Sequence, residues 1–236
     1  MNGPDTAMIL AAGFGTRMQP LTNICPKPLL PVAGRPMIDL VLDHAEAAGV
    51  RRAVINLHYL GGMIRDRLAG REVPELLFSE EEPEILDTGG GIVRALPLLG
   101  ARPFYALNSD AVWAGPNPLE VLAGAWDAPA MDALLLVVPC ARAKNYSRHG
   151  DFFLEGARPV RRGAEASAPY VYSGAQIVAP EVFSDARSGP FSMNVIWDAL
   201  LAHDRVAAVV YPGAWVDVGT PEGLAVASAA LEEAAR

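Results

Sequence analysis

Leu10-Ala11-Ala12-Gly13-Phe14-Gly15-Thr16-Arg17-Met18-Gln19-Pro20-Leu21-Thr22 runs from apolar residues into a glycine-containing loop, and Pro26-Lys27-Pro28-Leu29 follows after three further positions. The apolar run over residues 7–12 predicts a first strand that feeds this loop. Pro20, Pro26 and Pro28 forbid continuous helix beyond it. Glycines in such a loop let backbone N–H groups wrap a phosphate chain closely, while Arg17 and Lys27 supply mobile positive charge. No third glycine stands three residues after Gly15, as a dinucleotide fingerprint requires, and the Gly-Lys-Ser/Thr ending of a P-loop is missing. A Rossmann dehydrogenase and a P-loop kinase are therefore both disfavoured. The Gly-x-Gly alone equally describes a tight turn between strand and helix.

Working outward, apolar runs bounded by glycine or proline alternate with segments of helical period, which predicts parallel strands and crossover helices in an α/β sheet. Strands are expected at residues 7–12, 54–57, 75–79, 104–107 and 133–138. Helices are expected at 37–49, with Gly49 as the stop, and at 63–68, 91–98 and 118–126. This is the alternation of a doubly wound sheet. After about residue 139 the apolar pieces shorten, at 151–154 and 170–178, and predict an antiparallel addition before a helix at 194–202. Residues 221–235 should close the fold as a helix starting at Pro221, a favoured first helical residue. The expected organisation is one domain over residues 1–236, with about 1–139 holding the nucleotide and about 140–236 the sugar and the closing helix.

The chain has 236 residues, 51% of them hydrophobic and 19% charged, as in an ordinary globular protein. Its formal charge of -8 weighs against binding to nucleic acid or to an anionic membrane. An anionic substrate therefore needs a locally positive site. Cys25 and Cys140 make no disulfide framework. Residues 1–6 carry no leader pattern, and no stretch approaches the roughly 20 apolar residues of a membrane span. A cytoplasmic location is expected. His44, His58, His149 and His203 lack metal-ligand spacing and are read as structural or surface residues.

Residues 10–22 together with 26–29 resemble the signature of the sugar-phosphate nucleotidyltransferase family. The resemblance implies a nucleotide-diphospho-sugar transferase fold, a Rossmann-like doubly wound mixed sheet with a small antiparallel substrate-binding addition. It also implies magnesium-dependent coupling of a nucleoside triphosphate to a sugar 1-phosphate. Leu10, Ala12, Gly13, Gly15, Thr16, Arg17 and Lys27 would then hold the nucleotide, with Arg17 and Lys27 as the catalytic cations. Three further segments match. Asn108-Ser109-Asp110 stands at the end of an apolar run, with Ser109 where the family usually has glycine. Trp215-Val216-Asp217-Val218-Gly219-Thr220 offers a second carboxylate, so Asp110 and Asp217 would hold magnesium. Asp87-Thr88-Gly89-Gly90-Gly91-Ile92 matches the loop that receives base and ribose, which implicates Thr88 and Gly89. Read by themselves, Asp110 and Asp217 equally suit turns, and Asp87 or Thr88 equally caps a helix.

Within the family the chain resembles most the uridylyltransferases of N-acetylmuramate 1-phosphate in peptidoglycan recycling. Its partners would be UTP and that sugar phosphate, with Asn108, Asp151, Ser173 and Gly174 contacting the sugar. Asp151 equally reads as a strand-initiating surface aspartate. Mannose-1-phosphate guanylyltransferase and glucose-1-phosphate thymidylyl- or uridylyltransferase are the rival activities, and a noncatalytic nucleotide-sugar sensor is the alternative outside catalysis. No hexapeptide repeats follow Thr220, so no acetyltransferase solenoid is expected. The sequence leaves oligomeric state and the number of metal ions open, and the resemblance implies a monomer.

Overall fold

The computed structural model describes residues 3–235. Met1 and Asn2, the start of the segment read as carrying no leader, and Arg236 lie outside the described residues. The chain enters through β1 (Thr6–Leu10) and a loop of short helical turns, then forms the hairpin β2 (Pro31–Val32) and β3 (Arg35–Pro36). There follow α1 (Met37–Ala47), β4 (Arg52–Leu57), α2 (Gly61–Leu68), β5 (Glu75–Glu80), α3 (Asp87–Leu99) and β6 (Phe104–Asn108). Next come β7 (Ala111–Ala114), α4 (Pro118–Ala125), β8 (Ala133–Pro139), β9 (Ala143–Lys144), β10 (Phe152–Glu155) and β11 (Arg158–Arg161). The last elements are β12 (Tyr170–Val178), α5 (Asn194–Leu201), β13 (Val206–Val210), β14 (Ala214–Asp217) and α6 (Pro221–Ala234).

Among the described residues nine strands form one mixed sheet. Its parallel part runs β6-β1-β4-β5. The order reverses between β1 and β6, because the first crossover leaves β1 on one side and a later one returns on the other. A doubly wound sheet binds its ligands outside the carboxyl ends of the strands at this point. Beyond β6 the sheet continues antiparallel through β12 to β8, and β13 pairs parallel with β8. The hairpin of β10 and β11 pairs with the start of β12. The β12 register slips between Tyr172 and Gln176, placing Ser173 and Gly174 in an irregular stretch. A second, three-stranded sheet joins β7, β14 and β9.

The alternation of β1 shows why helices cover both faces. Ala7 and Ile9 enter a core with Ile38, Val41 and Leu42 of α1 and Ile64 and Leu68 of α2. Met8 points the other way, into a core with Ile92, Ala95 and Leu99 of α3 and Ile196 and Trp197 of α5. A third cluster packs Met18 and Leu30 of the first loop with Val112, Val216 and Ala227, so α6 clamps loop and small sheet together.

The expected elements are present with local differences. The first strand stops at Leu10, not at residue 12, because the Ala11 N–H leaves the ladder and donates to Asn56 Oδ1 at 2.7 Å. The helix expected from residue 91 begins one turn earlier, at Asp87, where the carbonyl of Phe191 accepts the N–H groups of Gly89 and Gly90 at 2.9 and 3.1 Å. The helix expected over 37–49 ends at Ala47. α4 starts at Pro118 with Asn117 Oδ1 accepting the Leu119 N–H at 2.9 Å, an ordinary N-cap.

One buried polar contact docks α5 on β12. Trp197 Nε1 donates to Gln176 Oε1 at 2.9 Å with both residues buried, and Tyr172 meets the indole edge-on. Trp197→Phe keeps most of the apolar ring but leaves Gln176 Oε1 unpaired. It should cost about 1–3 kcal/mol, read as a lower urea midpoint at unchanged m-value.

Candidate functional site

The carboxyl ends of β1 and β6 open into a cavity of about 310 Å³. Its floor and walls include Leu10, Ala12, Gly13, Gly15, Thr16, Arg17, Lys27, Thr88, Asn108 and Asp110. Residues expected at the site from four separate sequence stretches thus meet in one place.

The loop after β1 is held from outside. Gly15 takes φ 63°, where a side chain is strained. Its carbonyl accepts the Thr22 hydroxyl at 2.9 Å, and the Thr22 carbonyl accepts the Tyr59 hydroxyl at 2.8 Å. Phe14 packs edge-on against His58 and tilted against Tyr59. Buried Met18 anchors the loop, whereas the exposed Arg17 has no hydrogen-bond or ion-pair partner among the described residues. A guanidinium left free at a cleft mouth suits an incoming anion.

Lys27 is buried, and its Nζ lies 2.7 Å from Asp110 Oδ2. Asp110 is more open, with 36% of its side chain exposed against 10% for Lys27. Ser109 donates its hydroxyl to the Leu10 carbonyl at 2.7 Å and so ties the ends of β6 and β1 together. Asp217 ends β14 behind Gly219, which borders the cleft. A Cβ on Gly219 would stand 2.8 Å from Arg17 Nη1 and 3.1 Å from Asp217 Oδ1, so these groups converge there. Asp217 Oδ2 also pairs with Arg148 Nη2 at 3.0 Å.

Gly89, Asp151, Ser173, Gly174 and the Asp217 side chain fall outside the cavity wall. Gly89 is buried under the Phe191 ring, so a side chain there would strike that ring. Thr88 does border the cleft, and its Oγ1 accepts the Met193 N–H at 2.8 Å. Asp151 accepts the Tyr172 N–H at 2.9 Å, just before the irregular stretch of β12. Ser173 is fully buried, its carbonyl accepts Trp215 Nε1 at 2.9 Å, and its Oγ has no partner among the described residues. Gly174 lies against Asn108 so closely that a Cβ would come within 3.0 Å of it.

Asn56, Glu81 and Ile85 border the cleft without having been singled out in the sequence, and so does Gly219 of the quoted segment 215–220. Asn56 gave one signal, a polar residue inside an apolar strand; Glu81 lay hidden in the acidic run Glu80-Glu81-Glu82. Burial pushes the Cys25 thiol up, and burial followed by the charge of Asp151 does the same to Cys140, so neither is a poised nucleophile.

The sequence pattern described as nucleotidyl transferase matches residues 6–148, more than half of the chain. The chain is 41% identical to the N-acetylmuramate alpha-1-phosphate uridylyltransferase of Caulobacter vibrioides, covering 98% of either chain. It is 34% identical to the protein of the same name from Neisseria meningitidis serogroup B, over 91% of this chain and 93% of that one. Its fold matches a UDP-glucose pyrophosphorylase solved with UDP-glucose at a TM-score of 0.78, covering 97% and 98% of the two chains at 19% identity.

The two loop glycines separate fold from binding. A Cβ at Gly13 meets nothing within 4 Å, whereas one at Gly15 would stand 3.0 Å from Lys27 Cβ and from Thr22 Cγ2, on a positive φ. Gly15→Ala should cost about 1–2 kcal/mol of stability, and Gly13→Ala should leave it unchanged, both checked by thermal unfolding.

Proposed function

This chain belongs to the nucleotidyl transferase family and is a sugar-1-phosphate nucleotidyltransferase, and on that premise we propose that it transfers UMP from UTP to N-acetylmuramate 1-phosphate. The products are UDP-N-acetylmuramate and pyrophosphate, and the reaction serves peptidoglycan recycling in the cytoplasm. The observation that supports this reading is similarity over at least nine-tenths of both chains to two uridylyltransferases of that sugar phosphate.

The chemistry asks little covalent help from the protein. A phosphate oxygen of the sugar 1-phosphate forms a bond to the α-phosphorus of UTP while the bond to the β-phosphate oxygen breaks, and the electron pair leaves with pyrophosphate. The attacking oxygen is already anionic near neutral pH, so no general base is needed. Catalysis then rests on bringing two anions together and stabilising the charge that develops between them. That work is assigned to the guanidinium of Arg17 in the loop and the ammonium of Lys27 beside Asp110, both at the cavity. The backbone of residues 11–15 lets phosphate approach without side chains in the way.

The carboxylates fit a hard divalent cation. Asp110 at the cleft and Asp217 at the end of β14 behind Gly219 offer oxygen donors, and each is paired with a protein cation, Lys27 and Arg148 respectively. Among the described residues no cluster of three or more His, Cys, Asp or Glu forms an all-protein cage. Magnesium keeps waters and takes phosphate oxygens alongside one or two carboxylates, so this donor set suits it. When bound, it would supply charge neutralisation between the two sets of phosphates. Asn108 at the cleft, Gly174 packed behind it, and Asp151 and Ser173 farther out are the residues offered to the sugar.

Pyrophosphate release with magnesium and UTP, compared across N-acetylmuramate, N-acetylglucosamine, glucose and mannose 1-phosphates, tests the substrate. Preference for the muramyl compound is expected. Preference for another sugar, or for GTP with mannose 1-phosphate, would replace it, and nucleotide binding without turnover on any sugar would leave a sensor. Asp110→Asn should lower kcat by about a hundredfold or more with the fold intact, and Lys27→Ala should lower kcat by about 10²–10³; normal magnesium-dependent turnover would remove either residue from the mechanism.

A further inference from the structure

Glu81 is completely buried behind the cleft although Glu80 and Glu82 on either side are exposed. Its Oε1 accepts Asn56 Nδ2 at 2.6 Å, and its Oε2 accepts the N–H of Leu86, immediately before α3, at 2.7 Å. Asn56, also buried, accepts the Ala11 N–H on Oδ1 at 2.7 Å. One chain of hydrogen bonds therefore runs from the end of β1, through β4, to the residue after β5 and on to the start of α3. Ala11, Asn56 and Glu81 all border the cavity. α3 lies so close that a Cβ on Gly91 would stand 2.5 Å from Glu81 Oε1 and 2.9 Å from Asn56 Nδ2. The third glycine of the 89–91 run thus makes room for this pair. The N-terminal end of α3 also faces the carboxylate, where negative charge is favoured.

Donor counting fixes the residue types. The N–H groups of Ala11 and Leu86 are donors that nothing can invert. Asn56 accepts from one side and donates to the other, so position 81 must accept twice. A carboxylate does this and an amide does not. The polarity has one other solution of the same shape and total charge, an aspartate at 56 with a glutamine at 81. The aspartate would accept from Ala11 and from the new amide, whose oxygen would accept from Leu86.

We propose that Asn56 and Glu81 form the positioning pair of the nucleotide wall, holding residues 11–13 and residues 86–88 at a fixed separation for the base and ribose. The proposal rests on the nucleotidyltransferase reading. Neither residue is among those assigned to the phosphates, the metal or the sugar, so loss of the pair should appear in nucleotide binding.

The test is a double-mutant cycle read by calorimetric titration of UTP, with thermal unfolding on each variant. Glu81→Gln and Asn56→Asp should each weaken UTP binding by about tenfold or more, with the KM for the sugar phosphate unchanged. The double variant N56D/E81Q should return to within about threefold of wild type. Singles that bind UTP like wild type, or a double variant no better than the singles combined, would overturn the positioning role. If a single variant does not fold, a folded double variant that binds UTP supports the pair and one that does not bind refutes it. Wild-type protein that binds UTP neither alone nor with sugar phosphate would instead remove the UTP-dependent reading beneath it.

Discussion

The contact between Lys27 Nζ and Asp110 Oδ2 closes the loop after β1 onto the end of β6, across the point where strand order reverses. An acidic chain of net charge -8 needs a local cation to meet an anionic substrate, and Lys27 is a buried cation at the mouth of the cavity. The cation is buried and the carboxylate is partly open, so the attraction acts in a medium less screening than bulk water. Two neighbouring bonds lock the same junction. Ser109 ties its hydroxyl to the Leu10 carbonyl, and Thr22 holds Gly15 in its left-handed conformation beside Lys27.

Behind this front lies a second layer without cations. The buried Asn56 and Glu81 join three parallel strands to the first turn of α3 through acceptors and donors of fixed direction. The front carries the cations Arg17 and Lys27, while the back links two loops that border the same cavity. Glycine serves both layers for different reasons. Gly15 adopts a backbone angle that side chains resist, whereas Gly89 and Gly91 give up their side chains to close contact with Phe191 and Glu81.

Much of this arrangement was legible in the sequence because strands of a parallel sheet, buried on both faces, read as unbroken apolar runs. β1, β4, β6 and β8 were visible in that way, and the loop residues from Leu10 to Lys27 stood beside them. β13 escaped notice because five apolar residues without period look alike as strand or helix. β11 escaped because its arginines, paired with Asp198, Asp204 and Glu155, mask a buried Pro159 and half-buried Val160 and Arg161. Asp151 and Ser173 were read toward the sugar, but their visible contacts are with the β12 backbone and with Trp215. Glu81 could not be read at all, since an acidic triplet ordinarily faces water and only tertiary packing turns its middle member inward.

The most direct measurement is the position of the Lys27 side chain in a crystal of the protein with UTP and magnesium. The ammonium should leave Asp110 and sit on a phosphate oxygen, with the uridine between residues 11–13 and 86–88. A bound nucleotide elsewhere, with Lys27 still 2.7 Å from Asp110, would contradict the account.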